Sequence, residues 1–201
     1  MTSRDVILER ISRALADRNL PTPIPREYRG AGTAATVDLV ALFENRLLDY
    51  KACVRRCGGE DLESTIATAL GERGAQRMIR PDGVPSRWLP DALSDQPTLG
   101  TGELDRVDGV LTTCAVAIAD TGTIVLDHGP GQGRRALTLI PDYHLVVVRT
   151  GQIVRSVPDA IALLDPRRPM TWISGPSATS DIELTRVEGV HGPRTLEVIV
   201  T

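Results

Sequence analysis

Aromatic side chains are scarce: one Phe, two Trp and three Tyr stand in 201 residues. The interior must therefore be built from Val, Leu, Ile and Ala, which suits a buried, mainly parallel sheet better than an aromatic-rich β-sandwich. Lysine is nearly missing as well. Lys51 is the only one, and every other basic residue is Arg, whose planar fork suits carboxylate or phosphate. An excess of positive charge is also lacking, and a net charge of −3 argues against a general affinity for nucleic acid phosphates. No apolar run reaches the ~20 residues that a bilayer span needs. The first segment, Thr2–Arg18, is charged and amphipathic, without the apolar core or cleavage site of a signal peptide. Cys53, Cys57 and Cys114 cannot all pair, and no His or second Cys pair completes a zinc pattern around them. These absences point to free thiols in a reducing cytoplasm, with no membrane span, no nucleic-acid partner and no metal. What the chain does have is 41% hydrophobic residues, enough for a proper core without staples.

At this length the expectation is one domain with an extension. Thr2-Ser3-Arg4-Asp5 opens like a capping box, and Ile7, Leu8, Ile11 and Leu15 follow at helical spacing. Pro21, Pro23 and Pro25 stop that helix and stiffen a linker to about Ala35. Residues 1–35 are thus read as a helical extension and 36–201 as the domain proper. The apolar stripe of the extension is expected to pack on its own domain or, failing that, on a partner. Helix is expected over Val37–Tyr50, with Leu39, Phe43 and Leu47 on one face, and over Asp61–Leu70, with Gly71 just beyond. Ala52–Arg56 and Gln76–Arg80 read as strands, the second closed by Pro81-Asp82-Gly83. Helix and strand alternating at this spacing indicate an α/β layer arrangement. After a poorly patterned stretch, β-branched runs mark strands at Val107–Leu111, Thr123–Leu126, Leu145–Val148, Met170–Ile173 and Leu196–Val200, with a helix expected from about Arg134.

Three loops are candidates for chemistry. The first runs Asp127-His128-Gly129-Pro130-Gly131-Gln132-Gly133-Arg134-Arg135 between two apolar segments. Gly129, Gly131 and Gly133 would let backbone N–H groups approach a ligand. A helix starting at Arg134 would aim its dipole at the same spot, and Arg134 and Arg135 would add bidentate donors. With Gln132, these features favour an anion; the competing reading is a tight structural turn with solvated arginines. The second loop, Ser174–Glu183, follows a strand, and ligands of open α/β sheets tend to bind beyond the carboxyl ends of strands. Its Ser177, Thr179, Ser180, Asp181 and Glu183 suit substrate hydroxyls or helix capping, and a metal less well. The third, Val187–Arg194, offers Arg194 to the same anion and His191 as a general acid or base, or as a structural hydrogen-bonding residue. His144, ahead of a buried strand, reads as structural, and His128 is ambiguous. Asp120, in Ala119-Asp120-Thr121-Gly122-Thr123, is a candidate nucleophile or base, although spacing alone favours a turn residue.

The runs Ala117–His144 (AIADTGTIVLDHGPGQGRRALTLIPDYH) and Ser174–Leu196 (SGPSATSDIELTRVEGVHGPRTL) closely resemble the LUD-domain family in residues, order and spacing. The resemblance extends from about Val37 and is strongest from Val107 onward. It implies a fold similar to the sugar-phosphate isomerase, CoA-transferase and formyltetrahydrofolate cyclo-ligase superfamily: a single three-layer α/β domain with a central, mostly parallel sheet. It also implies a place in bacterial oxidation of L-lactate to pyruvate, alongside partner proteins with iron–sulfur clusters or cysteine-rich motifs. This chain has neither iron–sulfur spacing nor a dinucleotide fingerprint, so the electrons are expected to travel through those partners and no cofactor is assigned. The expected role is an accessory or substrate-binding subunit, with one pocket formed by loops 129–135 and 177–183 around a small anionic metabolite. The alternative is a stand-alone CoA-transferase-like or cyclo-ligase-like enzyme acting on a thioester or nucleotide-activated substrate. Related CoA transferases use a glutamate nucleophile, and the family commonly has Glu where this chain has Asp120, a methylene shorter.

Overall fold

The computed structural model describes residues 2–16, 25–27, 37–180, 186–188 and 191–201, without the side chains of 178–180 and 186–188. In chain order its elements are α1 (Ser3–Ala14), α2 (Leu39–Asp49), β1 (Cys53–Arg56), α3 (Leu62–Arg73), β2 (Met78–Ile79) and the single turn α4 (Thr101–Leu104). Then come β3 (Gly109–Thr113), β4 (Val116–Ile118), β5 (Thr123–Leu126), β6 (Tyr143–Val148), β7 (Ile153–Val154) and α5 (Val157–Leu163). The last are β8 (Thr171–Ile173), β9 (Ala178–Ser180), β10 (Arg186–Glu188) and β11 (Thr195–Val200).

β6 is buried at all of its positions, the pattern of a parallel strand covered on both faces. It lies at the centre of a five-stranded sheet of order β1-β11-β6-β3-β2, in which every pairing is parallel. Leu145 and Val147, with Leu111 and Ile199, pack against Leu62, Ile66, Ala69 and Leu70 of α3. Val146 and Val148 point the other way, with Leu196, Val198 and Val200, toward Phe43 and Leu47 of α2 and toward Ala117, Ile124 and Leu126. Those last three residues belong to a second sheet of order β7-β4-β5-β8, mostly antiparallel. Its outer face, Val116, Ile118 and Val125, is covered by Ala160 of α5. The fold class expected from sequence is therefore observed: an α/β domain in three layers, with the parallel sheet between α3 and the second sheet.

The helix boundaries follow local chemistry. Asp38 caps α2 by accepting the N–H groups of Val40 and Ala41. α3 runs through Gly71 and stops at Gly74, which takes the left-handed conformation at φ 64°. α1 opens with the capping box of Thr2 and Asp5. It contains no buried residue, and Ile7, Leu8, Ile11 and Leu15 are exposed, so the expected packing of this stripe on its own domain is not found among the described residues. The linker, apart from residues 25–27, lies outside them. Among the described residues no helix is long and apolar enough to cross a membrane.

Glu197, on β11, is the only fully buried carboxylate among the described residues. Arg73 donates to it from Nε at 2.6 Å, Arg55 donates from its own Nε, and the Tyr143 hydroxyl donates at 2.9 Å. Burial pushes this carboxyl up, but the hydrogen bonds of Arg55, Arg73 and Tyr143 together outweigh it and hold the group below the usual carboxylate range. Glu197→Gln leaves Arg73 without its counter-charge and Arg55 with only Glu72, 2.6 Å away, and should lower stability by about 2–4 kcal/mol at pH 7, measured by urea unfolding. The folded carboxyl sits below its unfolded value, so its contribution is full above about pH 5 and is lost as pH falls through the folded pKa. Below about pH 5 the wild type should therefore lose stability more steeply than Glu197→Gln.

Candidate functional site

The loop after β5 spends its hydrogen bonds on itself and on the parallel sheet. The Asp127 carboxylate accepts from the Gly129 N–H at 3.1 Å and from Gln132 Nε2 at 2.8 Å, and pairs with Arg168 at 2.6 Å. Gln132 Oε1 accepts the Asp127 N–H in return, at 2.6 Å. Gly131 donates to the Asp82 carbonyl at 2.7 Å and accepts from the Thr113 N–H at 2.8 Å, which ties the loop to the carboxyl ends of β2 and β3. At Gly131 φ is +80°, and a Cβ would lie 2.6 Å from Thr113 Oγ1. Close packing of loop on strand requires this glycine. His128 Nδ1 donates to the Gly133 carbonyl at 2.9 Å, so that nitrogen carries the ring proton, and Nε2 accepts from Thr171 at 3.2 Å.

Two expectations for this loop are corrected. Gln132 is buried in its bonds with Asp127 and is not presented to a ligand. No α-helix begins at Arg134: Arg135–Thr138 is one 3-10 turn, with too few aligned peptides for a useful dipole. Arg134 itself is held by Asp95, from Nε at 2.6 Å and Nη2 at 2.9 Å, and by the Leu99 carbonyl at 2.6 Å. Together with Asp82, Gln96, Gly129 and Gly133, this ion pair borders a cleft of about 460 Å³ beyond the carboxyl ends of β2 and β3.

A separate cavity of about 300 Å³ opens on the other side of the same turn. It lies between β8 and the amino-terminal halves of β6 and β11, from which His144 and Leu196 line it. Arg135 reaches it with an exposed side chain that has no ion-pair partner among the described residues. Ser177 and His191 also line it, joined by the His191 N–H donating to Ser177 Oγ at 3.0 Å. Ser174 lines the wall and shares a hydrogen bond of 2.8 Å with Thr123. At the floor, His144 is 1% exposed, with Nε2 at 2.7 Å from Thr112 Oγ1. Burial pushes its pKa down to about 4, so the imidazole is neutral at pH 7. An unpaired cation, a neutral imidazole and several hydroxyls are equipment for holding a small carboxylate.

Arg135, Ser177 and His191 are thus the sequence candidates that the fold brings together. Among the described residues the two loops meet at Arg135 and Ser177, while Gly129, Gly133 and Arg134 of the Gly-rich loop border the other cleft. Thr179 and Ser180 lie on β9, paired with β10; Asp181 and Glu183 lie outside the described residues. Arg194 is tied at the surface to Asp142, at 2.7 and 2.9 Å, and lines neither cavity. Asp120 occupies the turn between β4 and β5. Its N–H donates to the Arg155 carbonyl at 2.9 Å, its carbonyl accepts from Arg46 at 3.2 Å, and its carboxylate lies 3.9 Å from Arg155. It too lines neither cavity, which favours the turn role over the nucleophile. His144 was read as structural; the signal that marks it is a lone ionisable residue inside an apolar run.

Fold and cavity define an α/β protein with a cavity between a parallel and a mostly antiparallel sheet. The chain belongs to the LUD domain family, whose model matches residues 43–201. It is 50% identical over 201 residues to lactate utilization protein C of Deinococcus radiodurans, with 96% of this chain and 93% of that protein covered. It is 26% identical to lactate utilization protein C of an Exiguobacterium species, with the same shares covered. Its structure is similar to the crystal structure of a DUF162 family protein from Deinococcus radiodurans, with a TM-score of 0.70 and 47% identity over 81% of this chain and 96% of that one.

The neighbouring arginines should separate in stability measurements. Arg134→Ala strands the half-buried Asp95 carboxylate and is expected to cost about 1–3 kcal/mol. Arg135→Ala removes no internal bond and should stay within about 0.5 kcal/mol of wild type in the same urea titration.

Proposed function

We propose that this chain serves lactate utilisation in the cytoplasm, as a subunit that binds a small carboxylate in the cavity between β8 and β6. Relatives named lactate utilization protein C, one of them half identical over nearly the whole length, support the first part. One observation carries the second: Arg135 brings an exposed guanidinium without an ion pair among the described residues to a cavity that Ser177 and His191 share. A guanidinium meets a carboxylate through two parallel charge-assisted bonds, and a volume of about 300 Å³ stands at the small end of ligand sites. Oxidation of lactate to pyruvate releases two electrons. Cys53, Cys57 and Cys114 lack iron–sulfur spacing, so partner proteins with iron–sulfur or cysteine-rich sites are proposed to take them. Asp120 stands off the cavity, and covalent thioester chemistry is not part of this reading.

Isothermal titration of the full chain with lactate, pyruvate and inorganic phosphate tests the ligand. The carboxylates should bind, and Arg135→Ala should weaken them by roughly tenfold or more, about 1.4 kcal/mol. Arg194→Ala, whose guanidinium already serves Asp142, should leave the affinity unchanged. Silence from all three compounds with folded protein would remove the ligand from the proposal.

A further inference from the structure

His144 is the most deeply buried ionisable group on the cavity wall, and only one of its two ring nitrogens is used. Nε2 meets Thr112 Oγ1 at 2.7 Å. Nδ1 has no partner among the described residues. His144 stands in phase with Val146 and Val148 on β6, on the face that the second sheet covers, so the ring belongs to the cavity side of the sheet.

We propose that His144 is the specificity residue that reads the oxygen beside the bound carboxylate, with Thr112 as its positioning residue. The proposal rests on the reading of this cavity as a carboxylate site. Burial keeps the ring neutral at pH 7, and a neutral imidazole carries one proton on one nitrogen or the other. When Thr112 donates to Nε2, the proton sits on Nδ1 and the ring offers a donor to the cavity. That form fits the keto oxygen of a 2-oxocarboxylate. When the Nε2–H donates to Thr112 Oγ1, Nδ1 offers a lone pair, and that form accepts the proton of a 2-hydroxycarboxylate. Exchange between the two forms takes a proton from one ring nitrogen to solvent, returns one to the other nitrogen, and turns one hydroxyl. Net charge does not change, and no backbone has to move. Arg135 holds the carboxylate common to both ligands. A carboxylate with no oxygen at carbon 2 leaves Nδ1 unmet and is rejected.

The test compares lactate, pyruvate and propionate by calorimetry on the full chain, with nitrogen-15 spectra of the His144 ring in each complex. Lactate and pyruvate are expected within about tenfold of each other, and propionate at least roughly tenfold weaker than both. The His144 nitrogens should show opposite protonation in the lactate and pyruvate complexes. Thr112→Val removes the hydroxyl at nearly constant volume and leaves Nε2 facing methyl groups, where a bare lone pair is tolerated better than an unmet N–H. The variant should keep pyruvate and lose at least roughly fivefold toward lactate, and Thr112→Ser should restore lactate binding. If Thr112→Val does not fold, the propionate comparison and the ring spectra of the wild type decide. Equal affinity for all three acids, still lost in Arg135→Ala, overturns the role of His144 and leaves the carboxylate site standing. Unchanged ring protonation across the three complexes overturns it as well. Absence of binding by every acid overturns both.

Discussion

β6 runs between β3 and β11 and is buried at every position, so a polar side chain on these three strands has little water to turn to. Such a sheet tolerates a polar group only where the protein itself supplies the hydrogen bonds. Thr112, His144 and Glu197 are the buried polar side chains on these strands among the described residues. Glu197 faces α3 and is answered by three donors, two of them charged. Arg73 also lies over the Tyr143 ring at 4.9 Å, and Arg55 extends the cluster to Glu72 at 2.6 Å. His144 and Thr112 face the other way and answer only one another. The sheet thus has a saturated polar cluster on one face and an unsaturated one on the other, and the unsaturated one borders the cavity.

The cavity exists because the second sheet ends early. β8 is its edge strand and stops at Ile173. Gly175 then takes φ +86° against the Tyr50 side chain, where a Cβ would lie 2.6 Å from Tyr50 Cβ, and Ser177 donates to the Pro193 carbonyl just before β11 at 2.8 Å. The amino-terminal halves of β6 and β11 are left uncovered on that face, and the Arg135–Thr138 turn walls the space from the other direction. Arg134 stands just before that turn with extended backbone, φ −76° and ψ 152°, and Arg135 is the first residue within it. Arg134 meets Asp95 in one cleft, and Arg135 lines the other cavity.

The elements legible in the sequence are those whose signal is local. Short β-branched runs marked β5, β6 and β11 to within two residues, and the Phe43–Leu47 spacing marked α2. β4 was missed because Val116-Ala117-Ile118 is short and alanine-flanked, and β7 because it has two residues. α5 was missed although Ser156 and Asp159 form a capping box and Pro158 occupies the first turn. The site was less legible for a different reason. Arg134 and Arg135 are identical in type and adjacent, and what separates them is Asp95, 39 residues away. The Gly-rich loop looked like an anion cradle because glycine spacing is the same whether the close neighbour is a ligand or Thr113. Only the tertiary contact distinguishes them.

Two concavities flank one turn, and charge sorts them. The cleft beyond the carboxyl ends of β2 and β3 stands where open α/β sheets usually bind ligands. Its loop N–H groups at Gly129 and Gly131 are already used, by Asp127 and by the Asp82 carbonyl. Arg134 and Asp95 cancel, which leaves the Asp82 carboxylate as the remaining formal charge among its lining residues. An anion approaching there meets that carboxylate and no unpaired cation among the described lining residues. The cavity over β6 has the opposite balance, with Arg135 as its formal charge and no carboxylate in its described lining. At separations of about 4 Å near a protein surface, one unit charge is worth several kcal/mol in either direction. In the proposed reading, that difference assigns the small anion to the amino-terminal side of the sheet, against the usual preference of the fold.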